Sequence, residues 1–180
     1  MTPKEQKAIL RKDMLAQRDG LSADVKREWD RQMCSKIMDI ITERQAQVIH
    51  SYIPFGSEID INPLLRDLLA KGHTIICPRS LPKRTIQNLV LTSLDELEEG
   101  RFGTKHPAGN NEYNGNIDLF IVPGIGYNGR CYRLGYGSGY YDVYFASMPP
   151  GYKLGICYPF QYISEFPAEP HDVPLDKIIF

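Results

Sequence analysis

Apolar positions recur along this chain with two periods, and the change from one to the other divides it into alternating helices and strands. In the first segment Leu10, Met14 and Leu15 share one side of a helix that opens on Thr2-Pro3-Lys4-Glu5. Thr2 is placed as the N-cap, Pro3 fills the first helical position and Glu5 completes a capping box. This helix is expected to run to about Arg18, before Gly20. Ser22 caps a second one, in which Val25, Trp29, Met33, Ile37 and Ile40 or Ile41 keep helical spacing to about Glu43. The period then shortens. Residues 48–53 read as a buried strand ending at Pro54-Phe55-Gly56-Ser57. Asn62 as N-cap and Pro63 open a third helix, packed by Leu64, Leu65, Leu68 and Leu69 and closed by Lys71-Gly72. Residues 74–77 form the next strand, stopped by Pro78, and 86–91 another. Residues 94–99 are expected as a short acidic helix ending at Gly100, and 101–116 as connection. A strand over 117–122, a helix from Tyr140, a break at Pro149-Pro150-Gly151 and a strand over 154–157 complete the pattern. Strands alternating with helices predict one α/β domain over residues 1–180. It is expected to be three-layered and Rossmann-like, with a mainly parallel sheet covered by helices on both faces.

Composition narrows the function more than the fold. With 42% hydrophobic and 24% charged residues and a formal net charge of −1, the chain has no general attraction to nucleic acid or to a membrane surface, so any anion site must be local. The first fifteen residues are polar and charged and no run approaches eighteen apolar residues, which leads to the expectation of a cytoplasmic protein without signal or span. Cys34, Cys77, Cys131 and Cys157 are widely spaced and read as reduced thiols. Nothing in the pattern demands a partner chain, and a monomer is expected.

Candidate chemistry centres on Arg133-Leu134-Gly135-Tyr136-Gly137-Ser138-Gly139-Tyr140-Tyr141-Asp142. Alternating glycines let backbone N–H groups approach an anion, and a helix beginning at Tyr140 would point its positive end at the same place. Arg133 adds a planar donor fork. Taken alone, the glycines fit an exposed loop equally well. Lys7 and Arg11, spaced i, i+4, border the apolar side of the first helix, where they either snorkel or present two charges to one ligand. Glu58 and Arg79 both follow strands, at the end where open α/β sheets bind ligands. Just upstream, Gly124-Ile125-Gly126-Tyr127-Asn128-Gly129 fits the dinucleotide fingerprint, but more glycine follows where a helix should start, and about twenty residues on Met148-Pro149-Pro150 stands in place of a ribose-binding acid at a strand end. No Gly-Lys-Ser/Thr occurs anywhere.

Val122-Pro123-Gly124 followed by residues 132–142 resembles the signature of the 5-formyltetrahydrofolate cyclo-ligase (methenyltetrahydrofolate synthetase) family. Lys7-Ala8-Ile9-Leu10-Arg11, Ser57-Glu58-Ile59-Asp60, Cys77-Pro78-Arg79 and His171-Asp172-Val173-Pro174-Leu175-Asp176 resemble further family patterns, in the family's order. The resemblance implies ATP- and Mg²⁺-dependent conversion of 5-formyltetrahydrofolate to 5,10-methenyltetrahydrofolate. It further implies that Lys7, Ala8, Ile9, Leu10, Arg11 and Arg133, Leu134, Gly135, Tyr136, Gly137, Ser138, Gly139, Tyr140, Tyr141 hold the nucleotide, with Arg133 and Tyr141 in catalysis. Ile53 and Glu58 are implied for the folate, and Asp142 and Asp176 for the metal. The chain departs from the pattern at Tyr136, where many members carry Arg, and at Ser138, where they carry Lys or Gly. A catalytically silent nucleotide- or folate-binding relative and a nicotinamide-dependent oxidoreductase are the alternative readings.

Overall fold

The structure, a computed structural model, describes residues 2–147 and 151–180. The break expected at Pro149-Pro150 lies outside them. Helix α1 spans Pro3–Asp19 with the expected box: Thr2 Oγ1 accepts from the Glu5 N–H at 3.3 Å, and the Glu5 carboxylate accepts from the Thr2 N–H at 2.7 Å. Helix α2 spans Ala23–Arg44, capped by Ser22, and buries Met33, Ile37, Ile40 and Ile41. Strand β1 is Val48–His50, and α3 is Asn62–Ala70. Asn62 is the first helical residue and not the cap, because Asp60 Oδ1 already accepts its N–H at 3.0 Å, an Asx turn two residues back.

Strands β2 (Thr74–Leu81) and β3 (Thr85–Leu91) form one long antiparallel hairpin, so β2 does not stop at Pro78. Its other neighbour, β1, pairs only as far as Ile76. Beyond that point β2 is an edge, where proline's missing donor is tolerated. The segment expected as an acidic helix is instead a turn and a short strand, β4 (Leu97–Glu99), paired through a tight connection with β5 (Lys105–Pro107). A helix of six residues is too short to hold by its own bonds, whereas a strand partner lay a turn away. Strand β6 is Leu119–Val122, β7 Gly126–Asn128, β8 Arg133–Leu134, α4 Tyr140–Ser147, β9 Tyr152–Ile156, β10 Tyr162–Ile163 and β11 Lys177–Ile179.

The main sheet has the order β11-β9-β6-β1-β2-β3, parallel except for β3. Its two faces are read from alternation along β6. Leu119 and Ile121 join α2 and α3 side chains such as Ile37, Leu65 and Leu68 in one core, while Phe120 and Val122 pack with Tyr144 and Phe145 of α4 in the other. Each fully buried Ile or Leu contributes roughly 1.5–3 kcal/mol. This is the expected three-layer, doubly wound arrangement. The connection from β1 leads one way to β2, and the chain later returns through β6 to β9 and β11 on the other side. The carboxyl ends of β1 and β6 therefore flank the topological switch point, the usual ligand crevice of such sheets.

Candidate active site

Two loops leave that switch point. After β1 the chain stays extended through Tyr52 and Ile53, both 6% exposed, and turns at Gly56. The Tyr52 hydroxyl donates to the Ile59 carbonyl at 2.9 Å, and the Phe55 N–H donates to Glu58 Oε2 at 3.2 Å. Glu58 is thus folded inward and buried. Burial pushes its carboxyl above the ordinary glutamate range, opposed by the Phe55 N–H, the charge of Arg18 and the Tyr136 hydroxyl.

After β6 the chain passes Pro123-Gly124, pairs β7 with β8 and enters the glycine stretch. No helix follows Gly124 to Gly129, so the dinucleotide fingerprint is a sequence coincidence. Gly137 (φ +102°) and Gly139 (φ +69°) adopt left-handed backbone that a side chain would strain. Arg133 is held against the loop's base: it donates to Asp142 at 3.1 Å and to the Pro123 carbonyl at 3.5 Å, with its guanidinium 4.9 Å from the Tyr141 ring centroid. Tyr140 donates to the Leu81 carbonyl at 2.8 Å. Tyr141 is half-buried with its hydroxyl turned inward, and that buried hydroxyl has no hydrogen-bond partner among the described residues. Burial raises that phenol far above its ordinary value.

Helix α1 crosses this end of the sheet. Arg11 donates from Nε to the Gly135 carbonyl at 2.7 Å and lies within 4 Å of the space beside Gly137. Lys7, 5% exposed, is gripped by Glu169 and Asp172 at 2.8 Å each. Burial alone would lower its ammonium pKa; the two acids outweigh that and hold it above the ordinary lysine value. Asp172 is in turn held below its usual range despite its burial, by Lys7 and the Glu169 N–H. Of residues 7–11, Ala8 and Ile9 face outward and Leu10 is half-buried, so Arg11 addresses the loop and Lys7 the tail.

Asp142 and Asp176 engage different groups and share none. Asp142 accepts from Arg133 and from the Val173 N–H, whereas Asp176 accepts from the backbone and ammonium of Lys153 at the amino ends of the strands. The tail acid that comes to the loop is Asp172, with Glu169 beside it. Neither was singled out from the sequence, although Asp172 stands in the quoted tail motif. Among the described residues, Glu169, His171 and Asp172 bring ligand atoms within 4.8 Å of one another. Arg79 turns away from the crevice and binds Gln87, Asn110 and the Gly109 carbonyl along the hairpin. Arg18 was read only as the end of a helix. It is 4% exposed and joins the two loops, donating to Ser57 Oγ at 3.0 Å and to the Tyr136 hydroxyl at 2.8 Å. Behind Glu58 lies a space of about 10 Å³ lined by Arg18, Tyr52, Pro123, Gly124 and Gln161, room for about one water.

Comparison with known proteins agrees with this geometry. A family model described as the 5-formyltetrahydrofolate cyclo-ligase family matches residues 3–180. A 5-formyltetrahydrofolate cyclo-ligase of Mycoplasma genitalium is 32% identical over 176 residues, covering 96% of each chain, and that of Mycoplasma pneumoniae is 30% identical over 96% of this chain and 97% of its own. The solved 5,10-methenyltetrahydrofolate synthetase of Aquifex aeolicus superposes with a TM-score of 0.82 at 29% identity, over 96% of this chain and 88% of that one. The synthetase of Mycoplasma pneumoniae gives 0.80 at 29% identity, over 96% and 97%. With a crevice built at the switch point from the glycine loop, α1 and the Glu58 turn, and with whole-length matches of this kind, the chain belongs to the 5-formyltetrahydrofolate cyclo-ligase family and is a ligase.

Proposed function

We propose that the chain converts 5-formyltetrahydrofolate to 5,10-methenyltetrahydrofolate with ATP as the cosubstrate and Mg²⁺ as the metal. The observation that carries this reading is the convergence of the Arg133 loop and the Arg11 guanidinium on one side of the crevice, with the buried Glu58 turn on the other. One wall suits phosphate oxygens and the other suits a ring bearing N–H donors. A formyl amide oxygen is a weak nucleophile and a poor leaving group. Transfer of the γ-phosphoryl group to it releases ADP and turns it into a good one. N10 of the folate then adds to the formyl carbon and loses its proton, and expulsion of inorganic phosphate closes the five-membered methenyl ring.

Positioning and countercharge are the main aids to such a transfer. Arg133, Arg11 and the N–H groups of residues 135–139 hold the phosphates, while Tyr140 and Tyr141 close the loop's base. Lys7 reaches the phosphates by exchanging Glu169 and Asp172 for them. The Glu58 carboxylate accepts from the pterin N–H groups, and Ile53 backs the turn that presents it. Hard carboxylate oxygens suit Mg²⁺, and Asp142 with Asp172 are the acids that would hold it; Asp176 is engaged elsewhere. When bound, Mg²⁺ supplies countercharge on the phosphoryl oxygens.

The test mixes protein with 5-formyltetrahydrofolate and Mg²⁺, with and without ATP, and follows the near-ultraviolet absorbance of the methenyl product. ATP-dependent growth of that band, lost in Arg133→Ala, is the expected result. A folded protein that binds nucleotide without forming the band is the catalytically silent relative instead.

A further inference from the structure

Tyr136 stands in the middle of the glycine stretch, and its side chain ties that stretch to α1 and to the Glu58 turn. Its hydroxyl accepts from the Arg18 guanidinium at 2.8 Å and donates to Glu58 Oε1 at 3.1 Å. Arg18 also donates to Ser57 Oγ at 3.0 Å, and the Ser57 hydroxyl donates onward to the Asp19 carboxylate. A directional chain of hydrogen bonds therefore runs from α1 through the glycine loop to the carboxylate assigned to the folate. The ring of Tyr136 is tilted by 34° against Phe55, at 5.9 Å between centroids, and lies 6.0 Å from the guanidinium of Arg18. No phosphate-facing group is used up by this arrangement, since Arg11 and Arg133 take other partners.

We propose that Arg18 and Tyr136 are positioning residues for folate: acting in series, they fix the Ser57-Glu58 turn and keep the Glu58 carboxyl in its acceptor form for the pterin. The proposal rests on the folate reading of Glu58. Its physical basis is a buried acid that needs a compensating cation. Burial disfavours the charged carboxylate, and Arg18, the Tyr136 hydroxyl and the Phe55 N–H oppose that. The groups facing Glu58 from every side are Arg18 of α1, Lys26 of α2, Tyr52 after β1, Tyr127 of β7, and Tyr136 and Tyr141 of the glycine stretch. Lys26 is already paired with Asp30 at 2.7 Å. This leaves Arg18 as the cation best placed to hold the carboxylate ionised. A carboxylate oxygen accepts more than one hydrogen bond, so Tyr136 can keep its bond to Glu58 Oε1 while the pterin donates to the same carboxylate.

The experiment measures KM for 5-formyltetrahydrofolate against pH, and nucleotide affinity by direct ADP binding, in wild type, Tyr136→Phe, Arg18→Lys, Arg18→Met and the Arg18→Met/Tyr136→Phe double variant. Tyr136→Phe is half-exposed and keeps the ring, so it tests the relay even if Arg18→Met is poorly folded. Arg18→Met is expected to raise KM for folate about tenfold, the size of one lost charge-assisted hydrogen bond, and to move its acid-side limb to higher pH, with ADP affinity unchanged. Tyr136→Phe should shift both in the same direction by less. The double variant should match Arg18→Met, because the two act in one chain. Arg18→Lys should restore the pH limb, which needs only charge, but not the full KM. Additive single effects, weakened ADP binding, or an unmoved limb in Arg18→Met would overturn the proposal. Glu58→Gln in the same assay separates this from failure of the folate reading itself: a KM for folate unchanged in that variant removes Glu58 from the folate site, whereas a raised KM there with unmoved Arg18 and Tyr136 variants overturns only the positioning role.

Discussion

At the amino ends of the parallel strands, Asp118 accepts the N–H groups of Gln47 and Val48 and Asp176 that of Lys153, around an open hollow of about 790 Å³. At the carboxyl ends the accessible space beside Glu58 is about 10 Å³. Both edges carry acids and cations, and the roomier one is the poorer candidate for chemistry. Its acids are spent on the first backbone donors of strands, a structural use, and the Lys153 ammonium beside them is already paired with Asp176. The tighter edge sits at the switch point and brings groups from α1, two loops and the tail onto one spot. Convergence of unlike elements marks the site better than volume does.

Substitutions at the two edges should separate them. Arg133→Ala is expected to have the largest effect, a loss of about 10²–10³ in kcat, read from the methenyl band with enzyme saturated in both substrates. Glu58→Gln comes next: KM for folate should rise about tenfold or more while ADP binding holds, and loss of nucleotide affinity instead would move Glu58 to the other wall. The same carboxyl sets a pH dependence. Burial raises its pKa, so folate affinity is full above that value and falls as pH drops through it, at a higher pH than an exposed glutamate would give. A KM profile without an acid limb would contradict this. Asp172→Asn should raise the Mg²⁺ concentration needed for half-maximal rate by about tenfold, within the range for weakened metal sites, measured by Mg²⁺ titration. Asp176→Ala should be mildest, leaving kcat/KM within about twofold and costing about 1 kcal/mol of stability, a melting shift of roughly 2–4 °C. A large activity loss there would abolish the contrast between the edges.

Much of the scaffold could be read from local chemistry. The Thr2-Pro3-Glu5 box, the Ser22 cap and the apolar stripe of α2 from Met33 onward formed as expected, while Val25 of that stripe is exposed and the β1 and β6 runs are shorter than read, over Val48–His50 and Leu119–Val122. Where neighbours in space decided, the reading failed. Pro78 looked like a stop because its edge position depends on where β1 ends, and residues 94–99 looked helical because their partner strand lies beyond a turn. The site divided the same way. That the glycine loop, Arg11 and Glu58 share one edge of the sheet follows from motif and position. The place of Arg18 does not, since a basic residue in a last helical turn is ordinarily a dipole partner, and only the fold shows it buried between Ser57 and Tyr136. Choosing between Asp172 and Asp176 likewise required knowing which way the tail runs.

The grip of Glu169 and Asp172 on Lys7 spans 162 and 165 positions of sequence. During synthesis α1 is made before every other helix and strand described here, yet its two acidic partners follow roughly ten to thirty seconds later at ordinary translation speeds. Until then Lys7 lacks the countercharges that offset its burial, and among its polar anchors α1 has those of Arg11 and Arg18 alone. The α1 wall of the crevice is therefore completed late, and a chain stalled before residue 169 would carry most of the sheet with Lys7 still without its two acids.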